Sequence, residues 1–358
     1  MRPSRQRLER RPAAATREAA PGGYIAGPLY DWVFFISAPL LALAIGYALS
    51  AAGAYRFLVV ARDATGRLQQ IAVPALASAA FTHAHLVIVF FRSHLDRDIF
   101  RLHPYRFTVA PAALLVASVA SQWVFVIASV ATVWWDVYHS SLQTFGLGRL
   151  YDKRAGNDLA LGRRADYLFN LVIYAGPVLA GVNLWAHLKS LQKFQRVDAQ
   201  ALAGVADAVF ARRGEIRAAV IGVALVVVAG SLVHVHRLCR RGYRIPPPKL
   251  ALYATTSFVS IACWGFGSFG EAFLIMNFFH ALQYFATVWW SEKKTIMRVF
   301  HCPPQVALII LLGCGLGYGY WRARAPQTFL PIIALGNVVS LMHFWYDGFV
   351  WSVRKNQV

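Results

Sequence analysis

Apolar residues fall into ten stretches of about 15–26 residues, and most of the charge sits in the segments between them. A helix crosses the ~30 Å hydrocarbon core of a bilayer in ~20 residues. Backbone groups in lipid must be satisfied within the span, and no strand-like alternation runs through these stretches, so each predicts a helix. The predicted spans are 31–53, 71–91, 107–121, 123–148, 166–187, 216–236, 250–267, 271–290, 305–321 and 327–352. Two pairs are read as hairpins inside long uncharged runs. Asp136 is the sole formal charge from Phe107 to Gly148, and Glu271 is the sole one from Leu250 to Trp290. The expected fold is therefore all-α: a polytopic integral membrane helical bundle over residues 25–358. A connection at about 188–217 is expected to lie along the outer interface, since Leu188, Leu191 and Phe194 recur at helical spacing.

Composition agrees with this pattern. The chain is 58% hydrophobic and 15% charged, with mean hydropathy +0.47, where a soluble domain carries roughly 25% charged residues. The net charge of +20 does not indicate nucleic acid, because the Arg and Lys lie between apolar runs, as membrane topology requires. With both termini cytosolic (N-in/C-in), the inside segments hold 25 of the 36 Lys and Arg. Of the 11 outside, six lie in the long 188–217 connection, where charge bias counts less. Residues 1–24 read as a disordered basic cytosolic tail. The expected location is the cell (inner) membrane of a bacterium. Four scattered cysteines without a CxxC motif predict no disulfide.

Within this frame four histidines occupy one depth. His83, His139, His280 and His343 each precede a charged segment by about 9–12 residues and fall in the second, fourth, eighth and tenth spans. Polar residues at mid-membrane are costly and point to a site. His139 has Asp136 one turn before it and Gln143 one turn after it. His280 has Asn277, Gln283 and Tyr284 as helical neighbours. His343 has Tyr346 and Asp347, which repeats the histidine–carboxylate pair on one helix face. His83 and His85 are ~200° apart on a regular helix, so only one can face the others. His83 is preferred, because His94 extrapolates to its face. Trp134 and Trp135 lie too deep for an interfacial belt and are candidates for lining an apolar pocket, whereas Trp351 fits the belt. His187 and His301 read as interfacial.

The expected metal ligands are thus His83 or His85, His139, His280, His343 and Asp347, with Asp136, Gln143, Gln283 and Tyr284 as catalytic or supporting groups. Imidazoles with carboxylate suit non-haem iron or zinc, and no cysteine is near. Iron, mononuclear or di-iron, in an oxygenase acting on a hydrophobic small molecule or lipid leads the readings, because a mid-plane site suits a chain more than a head group. An electron-donor protein at the cytosolic face is the implied partner. A zinc hydrolase of lipid amides or esters is the alternative. A haem b electron-transfer protein and a proton-coupled transporter using Asp136, His139 and Asp347 are alternatives of other classes. The histidine boxes of membrane desaturases (HxxxH, HxxHH) are absent. The plan of isolated histidines on several helices resembles, in architecture alone, the bacterial membrane carotene-cleaving dioxygenases, and no motif assigns a family.

Overall fold

The computed structural model describes residues 23–56, 58–62, 68–325 and 329–351. Residues 1–22 of the expected basic tail, and Arg354, lie outside the described residues. The chain is helical almost throughout. Eleven longer helices are labelled here: α1 Ala38–Ala51, α2 Val73–Ile88, α3 Val109–Ala120, α4 Gln122–Arg154, α5 Arg163–Ala180, α6 Gln200–Ala211, α7 Arg213–Cys239, α8 Pro247–Phe266, α9 Phe269–Phe300, α10 Pro304–Arg324 and α11 Leu330–Val350. Between α1 and α2 the chain also forms an antiparallel hairpin, β1 Leu58–Arg62 with β2 Leu68–Ala72, with Val60 opposite Gln70.

Among the described residues, four helical segments are long and apolar enough to cross a membrane: Val73–Ser93, α7, α9 and α10. The number rises to seven if each of three bent pairs counts as one span. Those pairs are Pro28–Ile36 with α1, Pro104–Ala120 with α4, and α5 with Leu184–Val197. The sharpest bend, 120° between Pro104–Ala120 and α4, falls at Ser121, whose extended backbone caps α4 and accepts from the amide of Val124. The 188–217 connection is helical as well, and Leu188 and Leu191 pack with Trp134 and α6.

Small residues set the closest approaches, as is usual where helices meet in lipid. α10 lies along α2 with Gly315 against Ile88 and Phe285, and with Gly319 against the backbone of Ala80 and Ala84. A Cβ at Gly319 would collide with main-chain atoms that cannot rotate aside. Gly319→Ala is therefore expected to part α2 from α10 and to lower the thermal unfolding midpoint in detergent, a loss of about 1–3 kcal/mol. Gly317→Ala on the same helix, where the added methyl meets open space, should leave it unchanged or slightly raised. Equal midpoints for the two variants would contradict this packing.

Candidate metal centre

Four helices, α2, α4, α9 and α11, run in the same direction side by side. His85 on α2 meets His280 on α9 (ring centroids 4.9 Å), and further along Arg92, on the short helix Phe90–Ser93 that follows α2, meets Glu292 of α9 (2.6 Å). On α4 and α11, Ser129 meets Asn337 (2.7 Å) and further along His139 meets His343 (3.1 Å between Nε2 atoms). Parallel neighbours carry residues of equal depth to the same level. One imidazole from each helix enters a single layer, with centroids 5.1 Å apart for His85–His343 and for His139–His280, and 4.7 Å for His139–His343. All four rings are at most 2% exposed.

Donor atoms of His85, His139 and His280 lie within 4.8 Å of one another, and so do those of His139, His343 and Asp347. His139 belongs to both groups. Asp347 Oδ2 is 3.8 Å from His139 Nε2 and 3.7 Å from His343 Nε2. Two donors each ~2.1 Å from one ion stand roughly 3.0–3.4 Å apart at ordinary coordination angles, and the 3.1 Å His139–His343 separation has that value. A hydrogen bond between neutral imidazoles could account for that one pair. Among the described residues it leaves both ring nitrogens of His85, both of His280 and Nδ1 of His343 buried without a partner, and each ring can turn one nitrogen to a shared ion. Each unsatisfied group costs about 1–3 kcal/mol, so a cation shared among the rings fits this donor set better than imidazoles alone.

The next turn along three of the helices supports the layer. Gln143, Tyr284 and Asp347 each follow their histidine by four residues. Tyr284 donates to Asp347 Oδ1 (2.7 Å), and Trp351 Nε1 donates to the same oxygen (2.9 Å), which leaves Oδ2 facing the imidazoles. Arg92 stacks over the Trp351 ring at 5.1 Å while it pairs with Glu292. This arrangement fixes the carboxylate from behind, as outer partners of metal ligands do. Gln143 instead donates to the carbonyl of His280 (3.1 Å) and to Gln283 (3.1 Å), and Gln283 donates to the carbonyl of Phe35 (2.8 Å). These two amides tie helices together.

Two cavities flank the layer. One of about 490 Å³ reaches His139, Asp347 and Tyr284 on the side of Arg149 and Arg163. The other, about 270 Å³, lies on the opposite side and is lined by His83, Asp136, Asn277 and Ser340, each two or three residues before the histidine of its helix.

Several site residues are therefore placed differently from the sequence expectation. His85, not His83, joins the layer. At ~100° per residue Arg92 lies ~20° from the face of His85 and ~180° from that of His83, so only His94 extrapolates to His83; His85 and Arg92 accordingly both meet α9. Among the described residues Asp136 makes no hydrogen bond or ion pair with the imidazoles and lines the far cavity, so Asp347 is the carboxylate that reaches them. Trp134 donates to Ser190 and packs under the 188–217 connection, lining neither cavity. His187 is buried, bonds the carbonyl of Asn183 (3.0 Å) and lines the smaller cavity, whereas His301 is exposed at the end of α9. Trp351, assigned by sequence to an interfacial belt, was missed as a partner of Asp347, and its i+4 spacing from that residue is the signal that marks it.

No family model matches this chain, and neither the curated proteins nor the solved structures provide a match.

Proposed function

We propose that the protein is a membrane-embedded non-haem iron oxygenase acting on a lipid-soluble substrate, with His85, His139, His280, His343 and Asp347 holding the ion. The observation that carries this reading is the convergence of four buried imidazoles and Asp347 from four parallel helices, in two overlapping three-donor groups that share His139. An all-N/O donor set with a carboxylate and no cysteine suits iron. The close packing of the four rings leaves no slot for a macrocycle between any two of them, which disfavours haem. Bound iron would supply the redox chemistry that dioxygen activation needs. The chain supplies the rest: Tyr284 and Trp351 orient Asp347, and the aromatic walls of the larger cavity keep bulk water from the layer. We further propose ten crossings with both termini cytosolic. In that topology the four parallel helices run from outside to inside, and the larger cavity opens toward the cytosolic face, where an electron donor would dock.

Elemental analysis of anaerobically purified protein, with an optical spectrum, tests the reading. About one or two iron ions per chain and no Soret band are expected. Zinc alone would move the assignment to a hydrolase. Absence of any stoichiometric transition metal would leave a proton-coupled transporter, for which the second cavity with Asp136 is the supporting feature.

A further inference from the structure

The larger cavity has two unlike ends. At its deep end are His139, Asp347 and Tyr284, and at its mouth is the exposed Arg163, the first residue of α5. The second arginine at the mouth, Arg149, is fully committed: it bonds Asp152 and Asp166 at 2.6 Å each and the carbonyl of Leu159 at 2.7 Å. Arg163 has no such partner. Its guanidinium lies over the Phe145 ring at 5.6 Å, and no carboxylate among the described residues pairs with it. One turn along α5, Tyr167 donates to the hydroxyl of Tyr138 (3.3 Å), and both tyrosines line the same mouth. Between the two ends the wall is mainly apolar. Two glycines, Gly146 and Gly348, widen it, since a Cβ at either would meet nothing within 4 Å. The volume is within the ~300–1,000 Å³ range of ligand pockets.

We infer that this cavity binds a single-chain lipid with a carboxylate head. The head pairs with Arg163 beside the Tyr138 and Tyr167 hydroxyls, and the chain runs along Gly146 and Gly348 toward the histidine layer. The inference names the substrate class of the proposed oxygenase and rests on that reading for its chemistry, but not for its binding geometry. A planar guanidinium matches a carboxylate in a bidentate pair. An apolar tube beginning at a cation near the interface selects an anionic amphiphile over a neutral chain.

The test uses full-length protein in neutral-lipid nanodiscs, with and without its metal. Quenching by a brominated long-chain fatty acid, by the matching fatty alcohol and by the matching lysophosphatidate is measured. The Trp351 contribution is taken as wild type minus Trp351→Phe. Saturable quenching by the acid is expected, with the alcohol and the lysophosphatidate weaker. Arg163→Gln should weaken the acid about fivefold, the value of a ~1 kcal/mol exposed ion pair, and leave the alcohol unchanged. Gly146→Leu should abolish saturable quenching by all three while thermal unfolding stays at or above wild type, because the side chain enters open space on a helix. Equal binding of acid and alcohol, or indifference to Arg163→Gln, overturns head-group recognition. Tighter binding of the lysophosphatidate overturns the carboxylate in favour of phosphate. Quenching that survives Gly146→Leu, or is never saturable, overturns occupancy of the cavity. Metal content of the same samples is measured separately, so binding without iron would sink the oxygenase reading and leave this one standing.

Discussion

His139→Ala protein should purify with less than about a tenth of the wild-type metal, while it still inserts and elutes as a single species. His139 is the residue common to both donor groups, so its loss leaves each group with two donors that no longer share a neighbour. Changes even to the outer partners of ligands cost about 10–100-fold in metal affinity, and removing a shared ligand should cost more. His343→Ala and His85→Ala should behave alike. His83→Ala should retain the metal, since that side chain lines the opposite cavity, and His301→Ala, at an exposed helix end, is the control. Metal analysis across this set distinguishes a ligand layer from a general effect of removing histidines. Full metal content in His139→Ala, or loss in His83→Ala equal to that in His85→Ala, would refute the assignment.

The second large effect concerns stability. At the mouth of the larger cavity, Arg149 and Lys249 meet Asp152 and Asp166 in a buried square. Lys249 Nζ is 2.8 Å from Asp152 and 2.7 Å from Asp166, and Asp152 is wholly inaccessible. Tyr243 donates to Asp152 (2.6 Å). Burial and that neighbouring carboxylate hold the Tyr243 hydroxyl well above its usual pKa, so it remains a donor. The four charges sum to zero and join α4, α5 and α8. Removing one partner of such a group leaves an uncompensated buried charge, at a cost of about 3–5 kcal/mol. Asp152→Asn is therefore expected to lower the unfolding midpoint strongly. Lys249→Met should do the same with the opposite charge left over. The double variant keeps the Arg149–Asp166 pair in balance and should recover more than half of the loss. Thermal or denaturant unfolding in detergent measures all three. A double variant as unstable as the sum of the singles would show that geometry, and not charge balance, holds this corner.

Much of the site could be read along the chain because membrane burial penalises polar side chains one at a time. A histidine inside an apolar run is informative without a partner in view, and the common distance of His139, His280 and His343 from charged segments places them at one depth. The i+4 repeat of Gln143, Tyr284 and Asp347 was also present in the sequence as His-x-x-x-Gln, His-x-x-x-Tyr and His-x-x-x-Asp, although Asp136 competed with Asp347 for the same role. Spacing of three or four residues says that two side chains share a face, but it does not say toward which neighbour that face turns. Tyr284 and Trp351 could be ranked as supports of Asp347 only once α9 and the end of α11 were seen to meet.

The sequence alone determined a helical, membrane-type chain with several histidines at one level, because hydropathy and charge are local and additive along the chain. The tertiary structure decided the choice of His85 over His83, the separation of Asp136 from Asp347 onto opposite sides of the layer, the two glutamines as ties between helices, and the existence of both cavities. These depend on the rotation of each helix about its axis. Rotation is set by which small residues allow neighbours to approach, a property of pairs of segments that no single segment encodes.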